Sequence, residues 1–348
     1  MSSGTASATQ ERRFERSSYC GRVRQRSNRR RFTVFCTLAI CAGLVVTFPA
    51  LAAAIGPSEQ LRLMAQSLRT LDYEGAFIFQ SGSRVDTFHI AHSGDSSGVD
   101  RERLTRLSGP SSVVTRNGDS TTVRQPGQAP LAFPAGASAR LLPLVPVDAA
   151  ALPNPNYRLR MGEIDRVAGY DCSVIDIVAA DAYRYSYRVW LDRQHHLPLR
   201  VSLLDDSQRT VEQYMFVQLS VGSAAAVELG AIVEAVAMLA AEKPVGSAGW
   251  TVNDLPQGFL LRSRHSMPSV GTTREQLILS DGLAIVSAYI EPTPEPISED
   301  VALARGAMNV YIHHDRGWRF TVLGNVPSAT VQRIAVSISA VPGTIKPN

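Results

Sequence analysis

The sequence predicts an α+β protein in which two antiparallel sheets each carry a helix. Three observations support this prediction. Short segments of alternating polar and apolar residues, separated by turns rich in Gly, Asp and Ser, occupy most of the chain. One amphipathic helix pattern precedes the first series of these segments and another follows the last series. A stretch rich in Ala and Gly between the two series indicates a linker, so we expect two domains.

Residues 1–52 have the pattern of a signal peptide. An arginine-rich region precedes an apolar run over residues 32–48, and residues 49–52 supply an Ala-x-Ala cleavage site. An uncleaved membrane anchor is the alternative, because a run of about 17 apolar residues is near the lower limit for spanning a bilayer. We favour cleavage and export.

Most of the positive charge of the chain lies in this leader. Residues 1–52 contain nine of the 35 basic residues and two of the 31 acidic residues, which leaves 26 and 29 in the remainder, a net charge of −3. The remainder therefore has no overall basic character that would indicate nucleic-acid binding. Its one cysteine, Cys172, excludes an intramolecular disulfide and is typical of a small core residue.

The predicted N-terminal domain, residues 53–221, begins with a helix over residues 58–71, which Ser58 can cap. Alternating patterns then predict strands over residues 76–80, 85–92, 102–107, 113–117, 120–124, 173–178, 199–203 and 211–219. Residues 125–156 contain seven prolines and several leucines, which predicts a long connection. That connection is either packed on the sheet, tucked into a cavity or a mobile lid.

Aromatic residues at alternate positions give the candidate ligand site. Tyr183, Tyr185 and Tyr187 repeat at the period of a strand, with arginines on the opposite face, and such a face forms a wall of a core or of an apolar cavity. We add the other aromatic residues that fit such a cavity, which are Phe77, Phe79 and Trp190. Ordinary core packing is the alternative for all six residues.

The predicted linker covers residues 222–249, with a helix over residues 224–241, and the predicted C-terminal domain covers residues 250–348. Strands are expected over residues 259–265, 274–280, 283–290, 308–313 and 318–323. Asp281-Gly282 predicts a hairpin turn, and residues 327–338 predict a final helix.

No constellation of residues indicates catalysis or metal binding. The adjacent pairs His195-His196 and His313-His314 would point to opposite faces of a strand, so neither pair can chelate one ion there. Gly-Asp-Ser-Ser-Gly at residues 94–98 looks like a serine-protease loop, but the sequence around it lacks the rest of that pattern. No phosphate-binding loop or nucleophile elbow occurs. We therefore predict a binding protein without a cofactor, metal or catalytic site.

Several segments, taken in order and spacing, carry a family resemblance. They are Leu-Asp-Tyr-Glu-Gly-Ala-Phe at residues 71–77, Tyr-Arg-Tyr-Ser-Tyr-Arg-Val-Trp-Leu-Asp at 183–192, Leu-Pro-Gln-Gly-Phe at 255–259 and Ser-Asp-Gly-Leu-Ala-Ile-Val-Ser at 280–287. With them the chain resembles the RseB/MucB family of periplasmic regulators of the envelope-stress sigma factor. The resemblance implies an N-terminal open half-barrel of antiparallel strands with a helix, like that of lipoprotein carriers. It implies a smaller antiparallel sheet with a helix at the C-terminus.

The resemblance also implies a function. The protein would bind the periplasmic region of a membrane anti-sigma factor, protect it from site-1 proteolysis and sense lipoprotein or lipopolysaccharide. A periplasmic lipid or lipoprotein carrier that uses the same half-barrel is the alternative, and a hydrolase with an unrecognised site is a third class. A homo-oligomer is a further expectation, and nucleic acid is not expected as a partner.

Overall fold

The structure is a computed structural model, and it describes residues 55–94, 101–118, 120–134, 141–144, 154–222, 249–269, 272–293 and 299–341. The predicted signal peptide and almost all of the predicted linker, with its helix over residues 224–241, lie outside the described residues. None of the helices in the described ranges combines the length and apolar character needed to cross a membrane.

The first helix, α1 (Pro57–Thr70), covers the first sheet with an apolar stripe. Leu61, Met64 and Leu68 are fully buried, as their spacing predicts. The helix begins one residue before the predicted start, because proline is well suited to the first helical position. Gly56 therefore occupies the N-cap, and Ser58 does not cap the helix.

The first sheet is an open, antiparallel sheet that has twelve strands within the described ranges. These are β1 Tyr73–Ser81, β2 Arg84–Ser93, β3 Arg101–Arg106, β4 Val113–Asn117, β5 Ser120–Arg124, β6 Leu131–Pro134, β7 Tyr157–Met161, β8 Asp165–Val167, β9 Tyr170–Ala179, β10 Ser186–Asp192, β11 Pro198–Leu204 and β12 Thr210–Val221. Their order is β6-β5-β4-β3-β2-β1-β12-β11-β10-β9-β7, and β8 pairs with β9. The strands that come first and last in the chain order of this sheet, β1 and β12, thus pair with each other in the middle of the sheet.

A buried ion pair fixes part of the proline-rich connection. Glu102 on β3 and Arg116 on β4 are direct cross-strand neighbours, and Arg116 Nε donates to Glu102 Oε2 over 2.8 Å. The same carboxylate oxygen accepts the backbone N–H of Leu141 over 3.0 Å, and the neighbouring Leu142 is buried in the core. Among the three arrangements considered for this connection, the described residues 141–144 fit the packed one.

The second sheet has six strands and a layer that covers one face. Its strands are β14 Leu260–Ser269, β15 Thr272–Ser280, β16 Ile285–Pro292, β17 Val301–Arg305, β18 Met308–Asp315 and β19 Trp318–Gly324, in the order β14-β15-β16-β19-β18-β17. Helix α2 (Ser328–Ser337) packs on it, and β13 (Trp250–Val252) pairs with β20 (Ile338–Ala340). The predicted fold class, an open antiparallel sheet with a helix followed by a smaller antiparallel sheet with a helix, is confirmed.

A tight turn of the second sheet packs on the first. The turn between β17 and β18 contains Gly306 and Ala307, and Ala307 is completely buried within the apolar core of the first sheet. The backbone N–H of Ala307 donates to Glu212 Oε1 over 3.1 Å, and the Ser81 hydroxyl donates to the same oxygen over 2.6 Å. A side chain at Gly306 would collide with these groups, so only glycine permits this approach.

Replacing Gly306 with Ala should destabilise the protein more than replacing Gly82 with Ala. Their φ angles are +61° and +60°, so both variants share the strain of a left-handed Cβ, about 1–2 kcal/mol. A Cβ at Gly306 would also lie 1.9 Å from Ser81 Oγ, whereas nothing lies within 4 Å of one at Gly82. We expect a further loss of about 1–3 kcal/mol in G306A. Equal free energies of unfolding in urea would contradict this account.

Candidate functional site

Three of the six predicted cavity residues share one face of the first sheet. Phe77 and Phe79 occupy alternate positions on β1 and point to the same face as Ser81. Tyr187 on β10 shares that face, because it is aligned with Ser81 through the cross-strand neighbours Leu203 and Glu212. Phe77 is buried, with its ring centroid 5.5 Å from that of Phe88, and Phe79 is half-buried. Burial raises the pKa of the Tyr187 hydroxyl, which therefore stays neutral. Phe77 and Tyr187 belong to the same hydrophobic cluster as Leu61, Met64 and Leu68 of α1.

Trp190 lies on the opposite face of β10, because it follows Tyr187 by an odd number of residues. Its indole Nε1 donates to Asp165 Oδ2 over 2.8 Å, and the Arg200 guanidinium carbon lies 4.2 Å from its ring centroid. Burial lowers the pKa of Arg200. Trp190 is therefore separated by the sheet from Phe77 and Phe79.

Tyr183 and Tyr185 precede strand β10 and face the second sheet. The Asp181 carboxylate accepts the Tyr183 N–H over 2.9 Å and the Arg184 Nε–H over 3.0 Å, and this local bonding forms a turn where the alternation predicted a strand. Thr330 on α2 donates to the Tyr183 carbonyl over 2.6 Å. Asn309 on β18 lies with its Nδ2 3.2 Å from the Tyr185 hydroxyl, to which it donates. The period-2 tyrosines thus mark a junction between the two sheets.

Arg184 is the centre of this junction, and its guanidinium is completely buried. Nη1 donates to Asp281 Oδ2 over 2.6 Å, and Nη2 donates to the Gln257 carbonyl over 2.5 Å. The guanidinium carbon also lies 5.5 Å from the ring centroid of Tyr157 and 5.4 Å from that of Phe259. A charged group from the first sheet is thus enclosed by groups from both sheets.

Asp281 is the matching anchor of the second sheet, and its side chain is fully buried as well. One carboxylate oxygen accepts the N–H groups of Leu283 and Ala284 over 3.0 and 2.8 Å, which folds the turn after β15. The other accepts from Arg184 and from the Tyr157 hydroxyl, the latter over 2.9 Å. Four donors therefore satisfy this carboxylate, and the turn spans residues 281–284 where the Asp-Gly signal predicted two residues.

The charges of this junction stabilise one another. Burial disfavours the charged form of Arg184, but the hydrogen bonds to Asp181 and the charge of Asp281 outweigh that effect, and the pKa of the guanidinium is raised. Burial is the main cause of the raised pKa of Tyr157, with the Asp281 charge acting in the same direction. Tyr157 consequently remains a neutral hydrogen-bond donor to the carboxylate.

Sequence reasoning missed this pair of residues. The alternation predicts Arg184 on the face opposite the tyrosines. The Asp-Gly dipeptide predicts Asp281 only as part of a turn. The two are 97 residues apart, so no local pattern connects them. The one available signal is a charged residue inside a run of aromatic residues.

The structure shows no arrangement for metal chemistry in the parts of the chain that it describes. No group of three His, Cys, Asp or Glu side chains there is placed to hold an ion. His195 Nδ1 lies 2.7 Å from Asp192 Oδ2, and His313 Nδ1 lies 3.0 Å from Asp300 Oδ1, so each is tied to one nearby carboxylate. The chemistry offered by the site is recognition by aromatic and polar side chains.

Comparison with known proteins agrees with this arrangement. The sequence model of the MucB/RseB N-terminal domain matches residues 56–236, and that of the MucB/RseB C-terminal domain matches residues 244–339. The sigma factor AlgU regulatory protein MucB of Pseudomonas aeruginosa is 32% identical over 314 residues, 87% of this chain and 96% of that protein. The sigma-E factor regulatory protein RseB of Escherichia coli is 30% identical over 290 residues, 80% of this chain and 88% of that protein.

Solved structures show the same two-sheet architecture. MucB in the Pseudomonas aeruginosa MucA/MucB complex is 29% identical and has a TM-score of 0.67, covering 82% of this chain and 98% of that one. A further crystal structure of MucB is 28% identical, with a TM-score of 0.56 over 82% of this chain and 98% of that one. The fold and its polar junction thus define a protein of two antiparallel sheets that are joined by a buried polar contact. The chain belongs to the MucB/RseB family.

Replacing Arg184 with Met should lower the free energy of unfolding by about 3–5 kcal/mol, because Asp281 would keep a buried charge without its cation. Arg188→Met is the matched control, since Arg188 pairs with Asp176 at the surface, where the two side chains are 41% and 21% exposed. We expect the control to lose no more than about 1 kcal/mol. Urea denaturation of both variants checks the difference, and similar losses would argue against a stabilising junction.

Proposed function

We propose that the protein is a periplasmic negative regulator of an envelope-stress sigma factor. It binds the periplasmic region of a membrane anti-sigma factor and protects that region from site-1 proteolysis. The observation that supports this most strongly is the similarity of both sheets, together, to MucB solved in complex with MucA(peri). The aligned region covers 99% of the length of that MucB chain. The regulatory names of the relatives from two organisms support the same function.

The junction supports a binding role for the two sheets together. An extended or helical partner segment that contacts both sheets needs them in a defined relative position, since each freely moving element must be ordered at binding. The buried contacts from Arg184, Asn309 and Thr330 supply such a constraint before the partner arrives. Preorganisation of this kind raises affinity without any additional contact.

The first sheet supports the proposed lipid signal. Phe77, Phe79 and Tyr187 place aromatic surface on one face, and Phe79 is only half-buried there. An acyl chain from a lipoprotein or lipopolysaccharide could replace water or neighbouring side chains there. If the lipid binds the partner-free form of the chain more tightly than the anti-sigma-bound form, added lipid shifts the population away from the bound form. A lipid or lipoprotein carrier is the second candidate, and the same aromatic face favours it.

Titration of purified residues 53–348 with the periplasmic segment of the organism's anti-sigma factor tests the proposal. We expect saturable binding by calorimetry, and we expect added lipopolysaccharide or lipopeptide to weaken it. Lipid binding without any anti-sigma binding would replace the regulator with the carrier. Absence of binding to both would contradict both candidates.

Replacing Phe79 with Asp should weaken lipopeptide binding by about tenfold or more, because burying a phenylalanine side chain contributes about 1.5–3 kcal/mol. Ile78→Asp is the matched control: Ile78 is also half-buried, but it lies on the opposite face of β1. Circular dichroism checks that both variants fold. Equal losses of affinity in the two variants would show that the aromatic face does not hold the lipid.

A further inference from the structure

The two faces of the first sheet differ in charge. We call the face that carries Phe77, Phe79 and Tyr187 the aromatic face and the opposite one the arginine face. Because side chains alternate along each strand, the pairing registers assign every charged residue of the twelve described strands to one face. The aromatic face is balanced, with four arginines and four carboxylates: Arg84, Arg106, Arg116, Arg166, Asp86, Glu102, Asp171 and Glu212.

The arginine face has an excess of positive charge. Its seven arginines are Arg101, Arg103 and Arg124 on β3 and β5, and Arg158, Arg160, Arg188 and Arg200 on β7, β10 and β11. Its four carboxylates are Glu74, Asp165, Asp176 and Asp192. The face therefore has a net charge of +3, which the net charge of −3 over residues 53–348 conceals.

Four of these arginines lie close together at one end of the sheet. Arg158 and Arg160 occupy alternate positions on β7, the last strand of the sheet. Arg160 is aligned through Asp176 with Arg188 on β10, and Arg200 lies on the next strand, β11. Strands β7, β9, β10 and β11 are neighbours in that order, so these residues span three strand spacings, about 14 Å.

Three of the four arginines have no carboxylate partner within the described ranges. Arg188 donates to Asp176 over 2.5 Å, whereas Arg158, Arg160 and Arg200 form no ion pair there. Arg158 and Arg160 are exposed, and Arg200 is half-buried. By contrast, three arginines of the aromatic face each contact a carboxylate of that face: Arg84, Arg106 and Arg116.

Arg200 is held in place although it lacks a counterion. Its guanidinium carbon lies 4.2 Å from the ring centroid of Trp190, and its Nη2 donates to Gln213 Oε1 over 3.0 Å. Burial lowers the pKa of Arg200, and the charge of Arg188 acts in the same direction. A cation in these surroundings gains from an added anion, and its guanidinium is already oriented.

An exposed apolar side chain adjoins the four arginines. Ile164 lies in the connection between β7 and β8 and is 63% exposed, more than any other large apolar side chain in the described residues. The backbone N–H of Gly162 donates to the Val174 carbonyl over 2.8 Å, so only residues 163 and 164 leave the ladder with β9. Glu163 is the one carboxylate of this connection. Basic groups beside an exposed apolar side chain are typical of surfaces that rest on a membrane interface.

We propose that this part of the arginine face docks on the surface of an anionic phospholipid bilayer. Arg158, Arg160, Arg188 and Arg200 contact lipid phosphates, which the planar guanidinium group binds bidentately. Ile164 enters the interface, where burial of its side chain is favourable. The contact differs from the proposed lipid signal, because an acyl ligand would occupy the aromatic face. It also requires no anti-sigma partner.

Cosedimentation of residues 53–348 with vesicles tests the docking. We expect binding to vesicles made of equal parts of phosphatidylglycerol and phosphatidylcholine, no binding to phosphatidylcholine alone, and a decrease with added NaCl because salt screens exposed charges. Arg158→Gln and Arg160→Gln should each weaken binding about fivefold, since a basic side chain near an anionic membrane contributes about 1 kcal/mol. Arg262→Gln is the matched control, because it removes the same charge from an exposed position on β14 of the second sheet.

A fluorophore tests whether Ile164 enters the interface. An environment-sensitive dye attached to Ile164→Cys should shift its emission to shorter wavelength on the phosphatidylglycerol vesicles. The same dye on Leu107→Cys should not shift, although Leu107 is 56% exposed, because it lies after β3, away from β7. Native Cys172 does not react, because it is buried and burial raises its pKa to about 12.

Four results would overturn the proposal. They are equal binding to both kinds of vesicle, equal effects of Arg160→Gln and Arg262→Gln, an unshifted dye at position 164, and full displacement by inorganic phosphate at constant ionic strength, which would indicate a site for a free anion. If Arg158→Gln and Arg160→Gln weakened only the calorimetric anti-sigma titration, these arginines would belong to a protein interface instead. Phe79→Asp should leave vesicle binding intact, so failure of the docking and failure of the proposed lipid signal are distinguishable.

Discussion

The buried ion pair between Arg184 and Asp281 is the interaction on which the arrangement of the two sheets depends. Both side chains are fully buried, so the contact is favourable only while each keeps all of its hydrogen-bond partners. Those partners come from both sheets: Asp181 and Tyr157 belong to the first, and the Gln257 carbonyl precedes the strands of the second. A shift of one sheet relative to the other would leave a charge unpaired in a dry environment, which is strongly unfavourable.

The remaining contacts between the sheets follow from this constraint. Ala307 can insert beside Glu212 because the turn before β18 has glycine at its closest approach, and Asn309 reaches Tyr185 from the next residues of the same hairpin. Thr330 holds the start of α2 on the Tyr183 carbonyl. These are directional polar contacts with little freedom in distance or angle. They therefore hold the two sheets in a defined relative position.

The architecture could be predicted from the sequence much better than the junction between the two sheets. Alternation and turn residues predicted both series of strands, and the family resemblance predicted how they form an open sheet and a smaller one. The pairing of Arg184 with Asp281 was not predicted, because it joins distant segments of the chain. Hydrogen bonding by Asp181 forms a turn where the tyrosine spacing predicted a strand. Strand β17 was missed because its alternating alanines resemble an exposed loop as closely as a strand. The six aromatic residues are buried or half-buried, and spacing alone could not show that they divide among three environments.

The most direct test of the junction is a distance distribution between spin labels placed at Val85 on the first sheet and at Val336 on α2, both of which are exposed. If Arg184 and Asp281 fix the sheets, residues 53–348 should give a single narrow distribution, and Arg184→Met should broaden it or add a second distance. A broad distribution in the unaltered chain, or one that Arg184→Met leaves unchanged, would contradict the central role of this ion pair.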